Sequence, residues 1–428
     1  MTNVDPAELA HWKAVAAKPF DEAPRWEYLK WLQAQKDPNH QERAKFMALQ
    51  MDAAFSKPWD LLALEAANFR SVYLPAWGPI LPSTEREDPS KGNWTPSYVV
   101  LQWREGFPDG LQVWHPHKLG RQVSEWLKST PLTTLDYREN VEPTFGAFFD
   151  LVRGDEFKKL RSLRVRPNLE ACDALLTECE RGSLHELIID GVWASGRLPN
   201  ANANLFQTLA RRPFMKQLRS LGLLMIGVHD GAPPESLEVF ASLERLSVND
   251  AIRGEHLRAL LEASTQVRRL ELHGGGWGEV VASWSRVSQL EELVVVKAPA
   301  RDLRALMATN KLERLVSLRI EGVRDATTED FKFVFGSLNR LQRLSIRQSS
   351  LDDSGLGAFL ESHAFPHLLA LDLQLTRVTD ESLFQMTKSI HLPRLKWVRV
   401  HPIGGLVSSQ CVYALNQRWR PGNALAFE

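Results

Sequence analysis

A six-residue pattern of apolar positions, Leu-x-x-Leu-x-Leu with occasional Val or Ile, recurs through the last two thirds of the chain. Its eleven copies begin at Leu132, Leu160, Leu184, Leu218, Leu243, Val267, Leu290, Leu315, Leu341, Leu368 and Leu395. Successive copies start roughly 23 to 28 residues apart, a period typical of stacked repeats, except for one longer step between Leu184 and Leu218. That step contains a turn-rich stretch, which we interpret as a loop.

Each copy predicts one short strand. Its fourth and sixth residues share one side of an extended chain, so both enter a core and the residue between them faces the opposite way. Equivalent strands stacked about 4.8 Å apart form a parallel sheet, which requires crossover segments. Four of these segments place polar capping residues before apolar ones at helical spacing, namely residues 252–257, 326–331, 351–360 and 378–386.

This succession of strand, turn and helix resembles the ribonuclease-inhibitor-like branch of the leucine-rich-repeat proteins. The resemblance implies an α/β fold, a leucine-rich-repeat solenoid shaped as a horseshoe, with a parallel β-sheet on the concave face and helices on the convex face. Many such repeats carry an asparagine where the strand ends. In this chain the candidates for that role are few, and they include Asn140, Asn168 and Asn249.

The first part of the chain follows a different pattern. Residues 21–50 predict two short amphipathic helices separated by a turn at Asp37 and Pro38. The apolar positions expected to join the helices are Trp26, Leu29 and either Trp31 or Leu32 in the first, and Phe46, Leu49 and Met51 in the second.

The same segment resembles the small bacterial repeat-companion domain, which often precedes leucine-rich or other repeats. The matching positions are Arg25, Tyr28, Trp31, Leu32, Asp37, Pro38, Phe46, Leu49 and Gln50. The chain departs from that pattern at Lys30, Lys36 and Lys45.

A segment rich in proline, tryptophan and glycine follows. We interpret it as packed on the end of the solenoid, because free linkers rarely contain tryptophan. Residues 103–107, leading into 111–113, are predicted to form a capping strand, since solenoid ends need a cover. The predicted domains are a helical module over 1–56, a connecting and capping segment over 57–110, and a solenoid of about eleven repeats with a C-terminal cap over 111–428.

The composition restricts the class of partner and the cellular compartment that we expect. Lys plus Arg equals Asp plus Glu at 52 each, so no overall field favours nucleic acid or an anionic membrane. No apolar run reaches the roughly 20 residues of a membrane span, and residues 1–19 lack the apolar stretch of a secretion signal. Of three cysteines, Cys172 and Cys179 suit two turns of one helix better than a disulfide or a metal clip. We therefore expect a cytoplasmic protein.

Motifs of catalysis do not occur in the sequence. It has no Gly-x-Ser-x-Gly elbow, His-Glu-x-x-His pair or Cys-x-x-Cys pair. The glycine cluster at 274–278 lacks the Lys-Ser/Thr of a phosphate-binding loop, so we interpret it as a repeat turn. We expect no catalytic residue, no cofactor and no metal.

The candidate functional residues are those predicted to line the concave face, which is rich in arginine. They are Arg138, Arg164, Arg166, Arg219, Arg245, Arg269, Glu271, His273, Arg319, Glu321, Arg347, Asp372, Trp397, Arg399 and His401. Some of these charges are expected only to pair across strands, at roughly 0.2 to 1 kcal/mol per pair. Arginine is also favoured at protein hot spots, and a face of alternating sign selects a protein better than a phosphate backbone.

The predicted function is therefore a non-enzymatic interaction scaffold or inhibitor that holds another protein, of unknown identity, on the concave face. Immunity or antitoxin activity and regulation of a small GTPase, both of which occur on ribonuclease-inhibitor-like arcs, are narrower forms of it. Two alternatives of other classes stay open: an RNA-binding solenoid that uses the arginines and Trp397, and an enzyme whose site lies in the tryptophan-rich segment. We expect a monomer that binds no membrane, with nucleic acid disfavoured as a partner.

Overall fold

The computed structural model describes residues 6–18, 21–54, 99–104, 107–113, 132–137, 153–166, 175–191, 207–224, 237–249, 252, 254–336, 338–362, 365–401 and 406–419. They belong to two compact units, Met1–Leu218 and Arg219–Glu428, and each unit is described by itself. No helix among these residues is long and apolar enough to span a bilayer. Predictions for Cys172, Asn140, Asn168 and Arg138, and for the loop between Leu184 and Leu218 from residue 192 to 206, lie outside the described residues.

Three helices begin the first unit: α1 Pro6–Ala17, α2 Ala23–Ala34 and α3 Pro38–Ala54. The predicted pair of helices is confirmed by α2 and α3. Proline suits the first turn of α3 because that turn needs no proline N–H, and Asp37 accepts a hydrogen bond from Asn39 N at 3.0 Å. Helix α1 was not predicted, because one of the positions it buries is the charged Glu8.

The helical module has its own core. Its buried residues are Trp12, Val15, Tyr28, Leu29, Leu32, Ala44, Phe46, Met47 and Met51. The prediction that Trp26 lies in this core was wrong, since Trp26 is 40% exposed. Tyr28 is buried instead, because its hydroxyl donates a 2.7 Å hydrogen bond to Glu8 Oε1 and is therefore not left unsatisfied.

The strands of the first unit are β1 Val99–Arg104, β2 Phe107–Val113, β3 Thr134–Tyr137, β4 Ser162–Val165 and β5 Glu186–Asp190. β1 and β2 form an antiparallel hairpin, and β2, β3, β4 and β5 pair in parallel in chain order. The predicted single capping strand is therefore two strands: residues 103 and 104 end β1, and residues 107–113 form β2.

The strands of the second unit are β6 Ser220–Leu224, β7 Arg245–Asn249, β8 Arg269–His273, β9 Glu292–Val296, β10 Ser317–Glu321, β11 Arg343–Arg347, β12 Ala370–Gln374 and β13 Trp397–His401. Each pairs in parallel with the next. All eleven copies of the apolar pattern form a strand, and each strand begins two residues after the start of its copy. The fourth and sixth residues of a copy are buried, as Leu318 and Ile320 illustrate.

The helices of the second unit are α4 Gly254–Ala263, α5 Gly278–Ala282, α6 Ala300–Met307, α7 Thr328–Gly336, α8 Asp353–Glu361, α9 Asp380–Lys388 and α10 Ser409–Arg418. The four helices predicted from the capping pattern are α4, α7, α8 and α9. Their apolar sides are buried; in the layer between α7 and α8, the rings of Phe335 and Phe359 pack edge-on with centroids 5.2 Å apart. An α/β leucine-rich-repeat solenoid is therefore confirmed.

Strands β8 to β12 are each followed by a residue with a left-handed backbone. These residues are Gly274, Lys297, Gly322, Gln348 and Leu375, with φ between 49° and 76°. The amides of the first four bond the end of the neighbouring strand; Lys297 N donates to Glu321 O at 2.6 Å and Gly322 N to Arg347 O at 2.9 Å. These backbone bonds join repeats at the position where an asparagine was sought, while Asn249 Oδ1 accepts no hydrogen bond among the described residues.

Aspartates near the helix starts make a second connection between repeats. Asp302 Oδ2 accepts from Gly276 N at 2.6 Å, and Asp325 Oδ1 accepts from Ala300 N at 3.1 Å. Asp353 Oδ1 accepts from Thr379 N at 2.7 Å. Each carboxylate thus satisfies an amide of the adjacent repeat that would otherwise lack a partner.

Candidate partner-binding face

The first, third and fifth residues of strands β6 to β13 point away from the buried side of the sheet. We call this surface the open face. Its first-position residues are Ser220, Arg245, Arg269, Glu292, Ser317, Arg343, Ala370 and Trp397, and its third-position residues are Gly222, Ser247, Glu271, Val294, Arg319, Ser345, Asp372 and Arg399. Its fifth-position residues are Leu224, Asn249, His273, Val296, Glu321, Arg347 and Gln374. In a parallel register, residues of one position are neighbours on successive strands.

The middle of the open face is apolar. Val294 and Val296 of β9 lie there half-buried. Their register partners are Glu271 and His273 on β8 and Arg319 and Glu321 on β10. Two valines are therefore bordered on both sides by charged or polar side chains.

A hydrogen-bonded carboxylate, that of Glu271, lies on the β8 side of the valines. His273 Nε2 contacts Glu271 Oε1 at 2.8 Å, and Ser247 Oγ donates to Glu271 Oε2 at 2.8 Å. Burial raises the pKa of Glu271, but the hydrogen bonds from His273 and Ser247, together with the charges of His273 and Arg319, outweigh burial and hold the pKa below its ordinary value. Glu271 therefore presents a stable negative charge.

Arginines dominate the β10 side of the valines. Arg319 contacts Glu321 on its own strand, and Arg347 reaches across to Asp372 on β12 with Nε 3.0 Å from Oδ2. Burial lowers the pKa of Arg343 on β11. The carboxylates of Glu292 and Asp372 oppose this shift, and the guanidinium groups of Arg347 and Arg319 add to it. The positive charge in this region is thus only partly compensated by carboxylates.

The arginines on β7 and β8 are similarly crowded. Arg269 Nε lies 3.7 Å from Glu292 Oε2. Burial lowers the pKa of Arg269, and the charge of Arg245 on the adjacent strand adds to that effect. Arg219 precedes β6, is exposed, and lies 3.9 Å from Glu244.

In the first unit, two predicted residues converge on one carboxylate. Arg164 contacts Asp190 Oδ2 through Nη2 at 2.5 Å, and Arg166 Nη2 lies 3.3 Å from the same oxygen. Asp190 is buried, at 4% exposure. Both arginines therefore stabilise a buried negative charge as well as facing solvent.

Several residues of the open face were not among the predicted candidates. Val294 and Val296 were missed because a search for charged side chains passes over apolar ones, although their fifth and seventh positions in the copy could have identified them. Trp397 and Arg399 are half-buried on β13 as predicted for strand residues, and His401 ends that strand.

The glycine cluster forms a repeat turn, as predicted. Trp277 Nε1 donates to Gly274 O at 2.8 Å. A Cβ atom on Gly278 would lie 2.7 Å from Asp302 Cα, so only glycine lets this turn approach the next repeat. The cluster serves packing between repeats.

Among the described residues, no three His, Cys, Asp or Glu side chains form a cluster that could hold a metal ion. Cys179 and Cys411 are buried free thiols. Burial, with Asp380 nearby, raises the pKa of Cys411 to about 12. Its thiol therefore stays protonated and unreactive at neutral pH.

No family model matches the chain, and no curated protein matches it either. Among solved structures, an internalin from Listeria monocytogenes str. 4b F2365 is 13% identical, with 69% of this chain and 80% of that chain covered and a TM-score of 0.34. One chain of the yeast complex of Rad7 and Elc1 is 15% identical, with 93% and 94% covered and a TM-score of 0.41. Likeness at this level does not bear on function.

Proposed function

We propose that the protein is a non-enzymatic interaction scaffold or inhibitor that binds another protein on the open face. The observation that carries this proposal is the pair of half-buried valines, Val294 and Val296, bordered by Glu271, His273, Arg319 and Glu321. Protein interfaces combine an apolar centre with a polar rim, and arginine is enriched at their hot spots. An immunity protein or a GTPase regulator would be a special case.

The size of the open face limits how a partner binds. Eight strands about 4.8 Å apart span roughly 34 Å, and five residues at about 3.3 Å span roughly 16 Å, which gives about 550 Å². A standard interface covers about 800 Å² on each partner. The partner is therefore expected to extend beyond the strands onto an edge of the sheet.

The pairing of charges favours a protein over RNA. Arg347, Arg319 and Arg269 each lie beside a carboxylate of the same face. A phosphate backbone brings a continuous row of negative charges, which would be repelled by those carboxylates, whereas a protein can match each sign in turn.

Partner recovery from a lysate, compared between two matched variants, tests the proposal. Val296→Arg places a bulky charge at the centre of the open face, and Gln385→Arg places the same residue at an exposed position on α9. The proteins that bind the unmodified chain should be lost with Val296→Arg and kept with Gln385→Arg. Both variants should keep the unmodified melting temperature. Recovery that is equal for both variants would show that binding occurs elsewhere.

We also propose a cytoplasmic location and a monomeric state for the protein alone. The support for the compartment is that Cys179 and Cys411 are free and buried, as is usual where thiols are kept reduced.

A further inference from the structure

A cleft opens at the edge of the sheet where β10, β11 and β12 end. Its volume is about 390 Å³, and it is lined by Arg324, Gln348, Ser349, Ser350, Leu375 and Arg377. All six residues follow the last residue of one of these strands by one to three positions. The cleft therefore adjoins the open face at its carboxyl edge, where open α/β sheets commonly bind ligands.

The two arginines of the cleft are not compensated by neighbouring acids. Among the described residues, neither the Arg324 nor the Arg377 guanidinium forms an ion pair or a hydrogen bond. The carboxylates that follow the two arginines in sequence already accept hydrogen bonds: Asp325 accepts from Ala300 N, and Asp380 accepts from Ser408 N. Asp352, whose backbone pairs with that of Arg377, accepts from Gly355 N. Both guanidinium groups thus remain available to an anion.

A hydroxyl donor completes the lining. Ser349 is 5% exposed, and its Oγ accepts a long hydrogen bond of 3.4 Å from Leu351 N. Among the described residues its O–H donates to no acceptor, whereas Ser350 Oγ donates to Ala326 O. A buried hydroxyl with an unused proton favours a ligand that accepts hydrogen bonds.

The adjoining strands add to the positive charge. On β10 to β13 the open face carries Arg319, Arg343, Arg347 and Arg399 against Glu321 and Asp372, so its formal charge is +2. The two arginines of the cleft raise the sum to +4. On β6 to β9 the open face carries Arg245 and Arg269 against Glu271 and Glu292, which sum to zero.

We propose that the cleft binds a side-chain carboxylate from an acidic segment of the protein held on the open face. The planar guanidinium donors of Arg324 and Arg377 match a carboxylate, and Ser349 donates a further hydrogen bond. This proposal rests on the proposed function. It predicts that the bound protein has an acidic segment, which crosses the sheet edge where β10, β11 and β12 end. The carboxylates of Glu321 and Asp372 beside the cleft disfavour a continuous phosphate backbone.

Fluorescence anisotropy of a labelled octaglutamate peptide with the full chain tests the cleft directly. The double variant Arg324→Glu/Arg377→Glu should weaken binding at least tenfold. The matched control Arg286→Glu/Arg314→Glu changes the net charge by the same amount at two other exposed positions of the second unit, and it should change binding by less than about twofold. An equal loss in both variants would mean that only overall charge matters and would overturn the proposal.

Two further probes distinguish an acidic peptide from RNA and from free phosphate as the ligand of the cleft. Octauridylate RNA should bind more weakly than octaglutamate, and inorganic phosphate should displace the peptide only at millimolar concentrations. Tighter binding of the RNA that depends on Arg324 and Arg377 would assign the cleft to nucleic acid and overturn the peptide proposal. The pull-down with Val296→Arg is independent of the cleft, so failure of the proposed function and failure of this inference give different patterns.

Discussion

Arg347 on β11 donates two hydrogen bonds to Asp372 on β12. Its Nε, at 3.0 Å, and its Nη2 both contact the same oxygen, Oδ2. Asp372 is 4% exposed, so its charge depends on this neighbour for much of its solvation. The open face is thus part of the structural framework as well as the proposed binding surface.

We therefore predict that Arg347→Met lowers the free energy of unfolding by about 1 to 3 kcal/mol, because it leaves a buried carboxylate without its donor. Urea denaturation gives this value. The double variant Arg347→Met/Asp372→Leu removes both charges and should lose less than the single variant. If the double variant loses the sum of two independent single losses, the two side chains do not act as a pair.

A charge reversal at Arg164 in the first unit would also affect stability, so it is a poor test of binding. Its charge reversal would place a negative group against the buried Asp190, at the position where Nη2 now lies 2.5 Å from Oδ2. Loss of binding in such a variant would mix misfolding with loss of contact. Val296 and the arginines of the cleft are better probes because no described carboxylate depends on them.

A second prediction concerns acid stability. Burial raises the pKa of Asp353, but hydrogen bonds from Ser382 and Thr379 outweigh burial, so the pKa in the folded protein lies below the ordinary 3.8. A carboxyl with a lowered pKa adds stability above its unfolded value, and that stability is lost as the pH falls through the folded value. Asp353 should therefore stabilise the folded state at neutral pH and cease to do so well below pH 3.8.

Asp353→Asn tests this expectation. At pH 7 the variant should be less stable than the unmodified chain by about 1 kcal/mol, since a charged acceptor of two hydroxyls and an amide becomes neutral. The difference should shrink as the pH falls below about 4, which urea midpoints measured at several pH values would reveal. A difference that stays constant down to pH 2.5 would contradict the assigned role.

The strands of the repeat were predictable because their pattern is local and periodic. In all eleven copies the strand begins two residues after the start of the pattern. Capping residues such as Asp352 and Thr379 indicated where α8 and α9 begin. The left-handed turns were not predictable in the same way, since Lys297, Gln348 and Leu375 occupy a conformation that usually signals glycine. Backbone bonds to the next repeat hold Lys297 and Gln348 in this conformation, and these bonds exist only once the repeats are stacked.

The sequence predicted where the candidate site lies, but it did not predict which arginine forms an ion pair with which acid. A strand position tells which side chains leave the buried side of the sheet, and this identified Arg319, Glu321 and Asp372. Which arginine meets which acid depends on the register of neighbouring strands; Arg319 pairs along its own strand while Arg347 pairs across. The cleft at Arg324 and Arg377 follows from three turns brought together by stacking. The domain boundaries at 56 and 110 stay a prediction.

A third prediction concerns two glycines of the outer helices. Gly278→Ala should destabilise the protein by about 2 kcal/mol or more, because its Cβ would lie 2.7 Å from Asp302 Cα and 2.8 Å from Asp302 O. Gly357 lies within α8, and a Cβ there meets no heavy atom within 4 Å. Gly357→Ala should therefore stabilise by about 0.5 to 1 kcal/mol through helix propensity. Thermal unfolding of both variants checks the opposite signs, and a destabilised Gly357→Ala would contradict the helix assignment.

The fourth prediction concerns the helical module, where Glu8 accepts hydrogen bonds from Tyr28 Oη at 2.7 Å and from Arg43 Nη1 at 2.6 Å. Glu8 is 7% exposed, so loss of either donor leaves a buried carboxylate short of a partner. Tyr28→Phe keeps the ring and removes only the hydroxyl, and it should cost about 1 to 2 kcal/mol.

The comparison that isolates this effect uses Trp26, a larger aromatic residue of the same helix that is 40% exposed. Trp26→Ala removes far more atoms than Tyr28→Phe, yet it should destabilise the module less, because the Trp26 side chain is 40% exposed and its loss leaves no buried carboxylate without a donor. Hydrogen exchange of the amides of α1 to α3 measures both effects within the module. If Trp26→Ala proves the more damaging of the two, then α2 packs on its other side and the polar network around Glu8 is not what holds the three helices together.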